Sequence, residues 1–421
     1  MDLTCYRMNR RQLLATVGAG VGLGGTSGCL RLTGEGNQAT SGGETATATD
    51  SQPAGTTDEG AGAGPASPVT LTESWVGDPG IDFVWTEGGS IYLNDFNGAG
   101  RASHGSGVKW EQETTYEGFE DNFGADAFAV DEQYVTLGYR PDPEDSDTLG
   151  SHFHTFDEAT GEKLWAFGAP ADGKHNTAAG ATTVDGTVVV AASSYGSASE
   201  QEPLVVGLDA ESGDEQWRTE TPTLPAGFVT YVGEYAGEVY VGMGYDGVRV
   251  LNPGTGSLTR VEESWRVGRS FAASRGRIHG DTLFGVRRSG PEDGSSLDAY
   301  PLGTNGREWS VTFDGAVTAG PVVDNSLVTI GTEAGRVHVF DRSTGESVWD
   351  VRIDGSVGAI DMSALRVWVA DEETGLTAYD RSDGTRLHRS TKPINGSDIA
   401  VSDKVLVLGK NGIRGYYINE E

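Results

Sequence analysis

Cysteine is almost missing from this chain of 421 residues: there are two, Cys5 and Cys29. Two thiols exclude a disulfide-rich scaffold and a four-thiolate zinc site. Lysine is scarce as well, with six positions (109, 163, 174, 392, 404 and 410), and the 30 basic residues face 62 acidic ones for a formal charge of −32. A surface this acidic repels a polyanion, which excludes nucleic acid as a partner. The N-terminal apolar run, residues 13–23, is short of the roughly 20 residues a helix needs to cross a hydrocarbon core. No amphipathic helical stretch of useful length is present. What the chain has in quantity is turn material, including 63 glycines. The composition points to an acidic all-β protein.

The first 69 residues read as an address and a tether. Arg10 and Arg11 in NRRQLL precede the short apolar run, as in a cleavable export signal. The paired arginines followed by Leu13 and Leu14 resemble the twin-arginine type, which exports folded proteins; Met8, just before them, is an alternative start to Met1. Thr26-Ser27-Gly28-Cys29 resembles a lipobox, with Thr26 where leucine is usual. The alternative is an ordinary small-residue cleavage site. On the lipobox reading residues 1–29 are the signal, Cys5 is removed, and Cys29 is capped by lipid, leaving no thiol for chemistry. Stable anchoring then needs two chains, because one holds only marginally. Residues 30–69 contain Thr, Ser, Gly, Ala and acid without an aromatic, and are expected to be a disordered spacer. The expected location is extracytoplasmic, at the outer face of the cytoplasmic membrane.

Residues 70–421 are one repeated unit. FDEATGEKLW ends at Trp165, LDAESGDEQW at Trp217 and FDRSTGESVW at Trp349. Degenerate copies end at Arg260, Trp309 and His388, and an irregular one at Trp110. The anchor positions Asp157, Asp209, Asn252, Pro301, Asp341 and Asp380 lie 39 to 52 residues apart, the length of one four-stranded propeller blade. Within the phrase, an alternating run such as RVHVF is a strand, and Asp157, Asp209, Asp341 or Asp380 opens a turn by accepting backbone N–H groups ahead of it. Gly161, Gly213, Gly345 and Gly384 supply a positive φ, and Trp ends the phrase on the next strand. Upstream hairpins turn at Asp185-Gly186, Asp324-Asn325 and Ser402-Asp403.

Seven units are complete, and residues 398–418 supply three further strands before the chain stops. Residues 71–77, with Trp75, supply the missing fourth. The expected fold is therefore a single eight-bladed β-propeller of four-stranded antiparallel blades, its last blade closed by the N-terminal strand; seven blades is the alternative count.

The phrase D-x-x-T/S-G-x-x-x-W resembles the pyrroloquinoline-quinone-type propeller repeat of quinoprotein alcohol dehydrogenases and of the outer-membrane-assembly lipoproteins of bacteria. The resemblance covers nearly all of residues 70–421. It implies that Trp75, Trp110, Trp165, Trp217, Trp309 and Trp349 pack between neighbouring blades. It does not carry a cofactor over: the adjacent cysteine pair of the dehydrogenases is missing, and the domain is too short for their active-site insertions. The excess of acid over lysine further resembles proteins of extreme halophiles.

Other chemistry is thinly represented. His152 and His154 share one face of a strand, as two metal ligands would, but they occupy a core position of the repeat. The acidic loop at residues 140–150 offers Asp142, Glu144, Asp145 and Asp147 without EF-hand spacing. His175 reads as a surface-loop residue, and Ser193, Ser194 and Ser197 lack a nucleophile elbow. No catalytic, cofactor or metal residue is assigned. Two functions compete: a non-enzymatic, monomeric scaffold binding a protein, peptide or cell-envelope component, and a quinone- or metal-dependent oxidoreductase or hydrolase with a site at the propeller axis. Residues 140–150, 193–203 and 290–296 are the long inserts that suit the first.

Overall fold

The computed structural model describes residues 68–420 apart from 77–80, 88–89, 96–97, 104–106, 115–121, 142–149, 171, 173, 194–201, 220–223, 226–227, 245, 266–276, 291–293, 305, 372–374, 391–397, 402–404 and 410–413. The chain divides into two units, Met1–Ala48 and Thr49–Glu421, and every described residue lies in the second. Arg10, Arg11 and Cys29 fall outside the described residues.

Among the described residues there is no helix, and the strands form eight antiparallel sheets of four. In chain order the first runs from Ile81–Glu87 to Gly107–Glu113, the second from Asn122–Val130 to Lys163–Gly168, and the third from Thr177–Val184 to Glu215–Thr219. The fourth spans Tyr231–Tyr235 to Leu258–Glu262, the fifth Arg277–His279 to Trp309–Phe313, the sixth Val317–Val323 to Ser347–Arg352, and the seventh Ala359–Met362 to Arg386–Arg389. The eighth joins Asp398–Val401, Val405–Gly409 and Arg414–Glu420 to Val69–Val76 from the other end of the domain, in a register running from Val69 opposite Glu420 to Val76 opposite Arg414. Val69, read above as the last residue of the spacer, is 3% exposed and opens this strand. An apolar β-branched residue beside a strand end is drawn into the sheet by the burial it gains.

The third sheet shows why these segments become strands. Thr187–Ser193 is a run of Thr, Val, Ala and Ser buried at every position, because both of its faces meet a neighbouring sheet. The hairpin before it turns at Asp185 (φ 48°) and Gly186 (φ 75°), the left-handed pair that a two-residue hairpin requires. The first strand of each sheet touches the first strand of the next, and Ile81–Glu87 touches both Asn122–Val130 and Asp398–Val401. The core follows this arrangement. Each apolar cluster holds residues of two neighbouring sheets, as Phe153 and Trp165 of the second do with Val188 and Val190 of the third.

Candidate functional site

The repeated phrase builds one device at successive sheet-to-sheet seams. The anchor carboxylate caps its turn: Asp157 Oδ1 accepts from Thr160 N and Asp209 Oδ1 from Ser212 N, at 2.7 and 2.9 Å. Asp341 and Asp380 do the same for Thr344 N and Ser382 N. At Asp157 the Thr160 hydroxyl, and at Asp209 the Ser212 amide, lead in holding the carboxyl below its usual range; the Ser343 hydroxyl does so at Asp341. Gly161, Gly213, Gly345 and Gly384 all take positive φ, between 70° and 76°.

A second demand falls on the same glycines. The indole of the preceding sheet lies against each: a Cβ on Gly213 would stand 2.6 Å from Trp165 Cγ, and one on Gly161 2.4 Å from Trp110 Cγ. Trp217 lies in the same way over Gly256, Trp309 over Gly345 and Trp349 over Gly384. Each indole N–H then reaches the carbonyl of the residue after the next anchor: Trp110 to Glu158 at 2.9 Å, Trp165 to Ala210 at 2.9 Å, Trp309 to Arg342 at 3.0 Å and Trp349 to Arg381 at 2.8 Å, with Trp217 donating to Pro253. That residue is a pivot. Except at Pro253, which has no N–H, its own N–H bonds the hairpin turn of its own sheet, as Ala210 N does to Gly186 O and Arg381 N to Leu365 O.

Three pivots add a side-chain clasp to the preceding sheet. Glu158 accepts from Tyr92 Oη at 2.7 Å and pairs with Arg101 at 2.9 Å. Arg342 donates to His279 O at 3.0 Å, and Arg381 reaches Asp324 and the Ser326 hydroxyl. Trp165→Phe is expected to cost about 1 kcal/mol, for one lost bond and an unsatisfied Ala210 carbonyl, whereas Trp165→Ala should cost about 3–5 kcal/mol. Urea midpoints of the two variants check this; no loss in Trp165→Phe would show that the indole N–H contributes nothing.

Two seams depart from the pattern. Arg260 stands where Trp is expected, but it turns back to its own sheet: it donates to Tyr240 Oη at 3.0 Å and pairs with Glu262 at 2.7 Å. The seam to the fifth sheet is filled instead by Trp265, fully buried and stacked on Tyr300 at 5.3 Å. Nothing in the repeat spacing marks Trp265, which lies five residues beyond the expected place. At the seventh seam His388 takes the Trp position, and its Nδ1 donates to Val69 O at 3.1 Å, tying the seventh sheet to the strand from the N-terminal end. Trp75 lies in that strand; its side chain is outside the described residues.

The histidines resolve differently from one another. His152 and His154 are fully buried, with Tyr139 stacked on His152 at 5.4 Å and edge-on to His154 at 5.7 Å. Burial pushes their pKa values down to about 3 and about 2. His175, read above as a surface residue, is 6% exposed. The expectation fails because Asp172 bends the DGKH segment back: its carboxylate accepts Lys174 N and bonds His175 Nδ1 at 3.0 Å, while His175 O receives Ser151 N. Ser193 is buried in its strand; Ser194, Ser197 and the acidic residues 142–149 lie outside the described residues.

The described inner strands carry little that could serve a quinone or a catalytic centre. Thr177–Val184 and Val317–Val323 present Ala, Thr, Gly, Pro and Val. The carboxylate of Asp361, in the inner strand of the seventh sheet, accepts Met362 N and Val401 N, both at 2.7–2.8 Å. Among the described residues no group of three His, Cys, Asp or Glu is placed to hold a metal. The residues present do not fit the quinone site of the dehydrogenases, which rests on an adjacent cysteine pair: Cys5 and Cys29 are neither adjacent nor in these strands.

Four-stranded sheets joined by tryptophan-capped turns define a pyrroloquinoline-quinone-like β-propeller repeat protein. The chain belongs to the family described as outer membrane protein assembly factor BamB, whose model matches residues 108–284 and 293–419. Among solved structures it is similar to BamB from Moraxella catarrhalis, at 15% identity and a TM-score of 0.55, covering 83% of this chain and all of that one. It is also similar to the computationally designed Ika8 protein, at 15% identity and a TM-score of 0.59, covering 82% and 98% of the two chains. At such identity these likenesses bear on the fold. No curated protein matches the chain.

Proposed function

We propose that this protein is a non-enzymatic scaffold: an eight-bladed ring closed by Val69–Val76, lipid-anchored through Cys29 after twin-arginine export, that binds a protein partner outside the cell. The observation that carries the reading is topological. Residues 140–150 and 193–203 each join the second strand of a sheet to its third, so both leave the strand ends of one face. By contrast, 290–296 is no long insert: Gly290 pairs with Gly294, and Ser295 and Ser296 are buried strand residues. Val69 pairs with Glu420, at the strand end where the other sheets make their anchor turns, so the spacer enters at the opposite face. A tether on one face and long loops on the other suits a ring that presents a surface away from its membrane. The family description, an assembly factor, agrees with a scaffold role.

The test is capture of envelope proteins in high salt by the anchored chain, with residues 140–150 replaced by a short Gly/Ser turn as the paired variant. A specific partner lost on replacement supports the reading. A stoichiometric quinone or tightly held metal on the purified protein sinks it. Cys29→Ser is expected to move the chain from the membrane to the soluble fraction.

We infer further that the acidic surface is matched to salt. All but six of the 62 acids lie beyond residue 68. Their mutual repulsion is screened over only about 3 Å at molar ionic strength, against about 10 Å at 0.1 M. The melting temperature is expected to fall as salt is withdrawn, and one unchanged from molar to low salt would count against this inference.

A further inference from the structure

The repeats serve as internal controls for one another, and the outermost strand of the fourth sheet breaks their rule. Six residues after the anchor, five other sheets carry Lys163, Glu215, Arg307, Ser347 and Arg386; the fourth carries Leu258. One residue after the Trp position they carry Ala166, Arg218, Ser310, Asp350 and Arg389; the fourth carries Val261. All of these residues are exposed. Leu258 and Val261 remain 40% and 38% exposed, and they are two of the four large exposed apolar side chains among the described residues.

The two side chains share a face. Leu258 stands opposite Leu251 and Val261 opposite Arg249, positions two apart on the neighbouring strand, because a register shift absorbs Thr259. The strand Leu258–Glu262 pairs on one side only. An edge strand exposes a row of backbone donors and acceptors, and proteins normally blunt it with charge. Each of the other outer strands above carries a charge in at least one of these two positions, even the sixth, where Val348 is also exposed, and this one carries none. Its one cation, Arg260, is withdrawn onto Tyr240, Glu238 and Glu262. It is also one of two outer strands, with that of His388, that lack the tryptophan clamp to the neighbouring sheet.

We propose that this edge takes an extended segment of a partner polypeptide by strand addition, an inference that rests on the protein-binding reading above. The backbone edge specifies an extended segment, and Leu258 and Val261 specify apolar side chains at alternate positions of it. A protein of formal charge −32 favours cationic flanks on that segment and disfavours a second copy of itself.

The probe is a fluorescein-labelled peptide alternating valine and threonine between terminal lysines, titrated at high salt and read by anisotropy. The wild type is expected to bind it. Leu258→Lys with Val261→Asp, which restores what the other sheets carry and leaves the melting temperature unchanged, is expected to weaken binding about tenfold. Ala166→Asp, on another outer strand, should leave it unchanged. Equal binding by the double variant, or none by the wild type up to about 1 mM peptide, overturns the proposal. So does a dimer in sedimentation that the double variant abolishes, since the occupant would then be a second copy. A partner captured equally by the double variant, yet lost on replacing residues 140–150, overturns this inference and leaves the scaffold reading standing.

Discussion

A chain beginning at residue 77 is expected to lose roughly 5 kcal/mol of stability against one beginning at residue 68, enough to unfold a marginal domain or drive it to aggregate. The eight residues Val69–Val76 supply the fourth strand of the eighth sheet, and they do so from the far end of the domain. Val69 packs in one cluster with Trp368, Ile399 and Val401. Its carbonyl receives His388, and the strand it pairs with ends at Glu420, which holds the buried Arg366 at 3.1 Å. Removing the strand bares the edge Arg414–Glu420, takes its carbonyl partner from His388 and loosens the strand end that holds Arg366. Urea midpoints of the two chains measure the effect. A synthetic peptide of residues 68–76 added in trans should restore part of it. Two chains melting within a few degrees of each other would show that the strand is dispensable.

Acid is expected to destabilise the protein through His152 and His154. Unfolded, each ring takes a proton near pH 6.5; folded, burial holds their pKa values to about 3 and about 2. Between those limits the unfolded state binds more protons than the folded one, so stability falls as pH falls. By pH 4 the loss is about 3 kcal/mol for each ring. The capped carboxylates of Asp157, Asp209 and Asp341 also lose stability on acidification, over a lower range, so the comparison must be with a variant. His152→Phe with His154→Phe should remove most of the difference between pH 7 and pH 4 in urea midpoint. If that variant fails to fold, ring proton shifts of the wild type decide: two rings that titrate near pH 6 would defeat the expectation.

The phrase was readable because its parts act over short distances. An Asp that caps a turn, a glycine at positive φ four residues on and a Trp at the eighth all belong to one hairpin. Why the glycine must be glycine was only half readable. Its φ is local, but the indole lying on Gly213 comes from Trp165, 48 residues earlier in the chain. The pairing of each Trp with the next copy's pivot carbonyl is likewise invisible in a single repeat. Trp265 escaped notice because it serves the seam from outside the phrase, and the cue was the Arg at position 260. His175 was misread because a polar, Gly-containing segment resembles a surface loop until its Asp172 bond and its Ser151 contact close it.

The sequence by itself determined the all-β class, the repeat and its length, and the residues of each turn. Those follow from composition and from periodicity within a few tens of residues. Only the tertiary structure decided which indole meets which turn, where the repeat's rule is broken, and which outer strand stands apolar and unguarded. The physical reason is range: a hairpin is specified by its own residues, whereas a seam is a contact between two repeats, and its energy belongs to neither one alone.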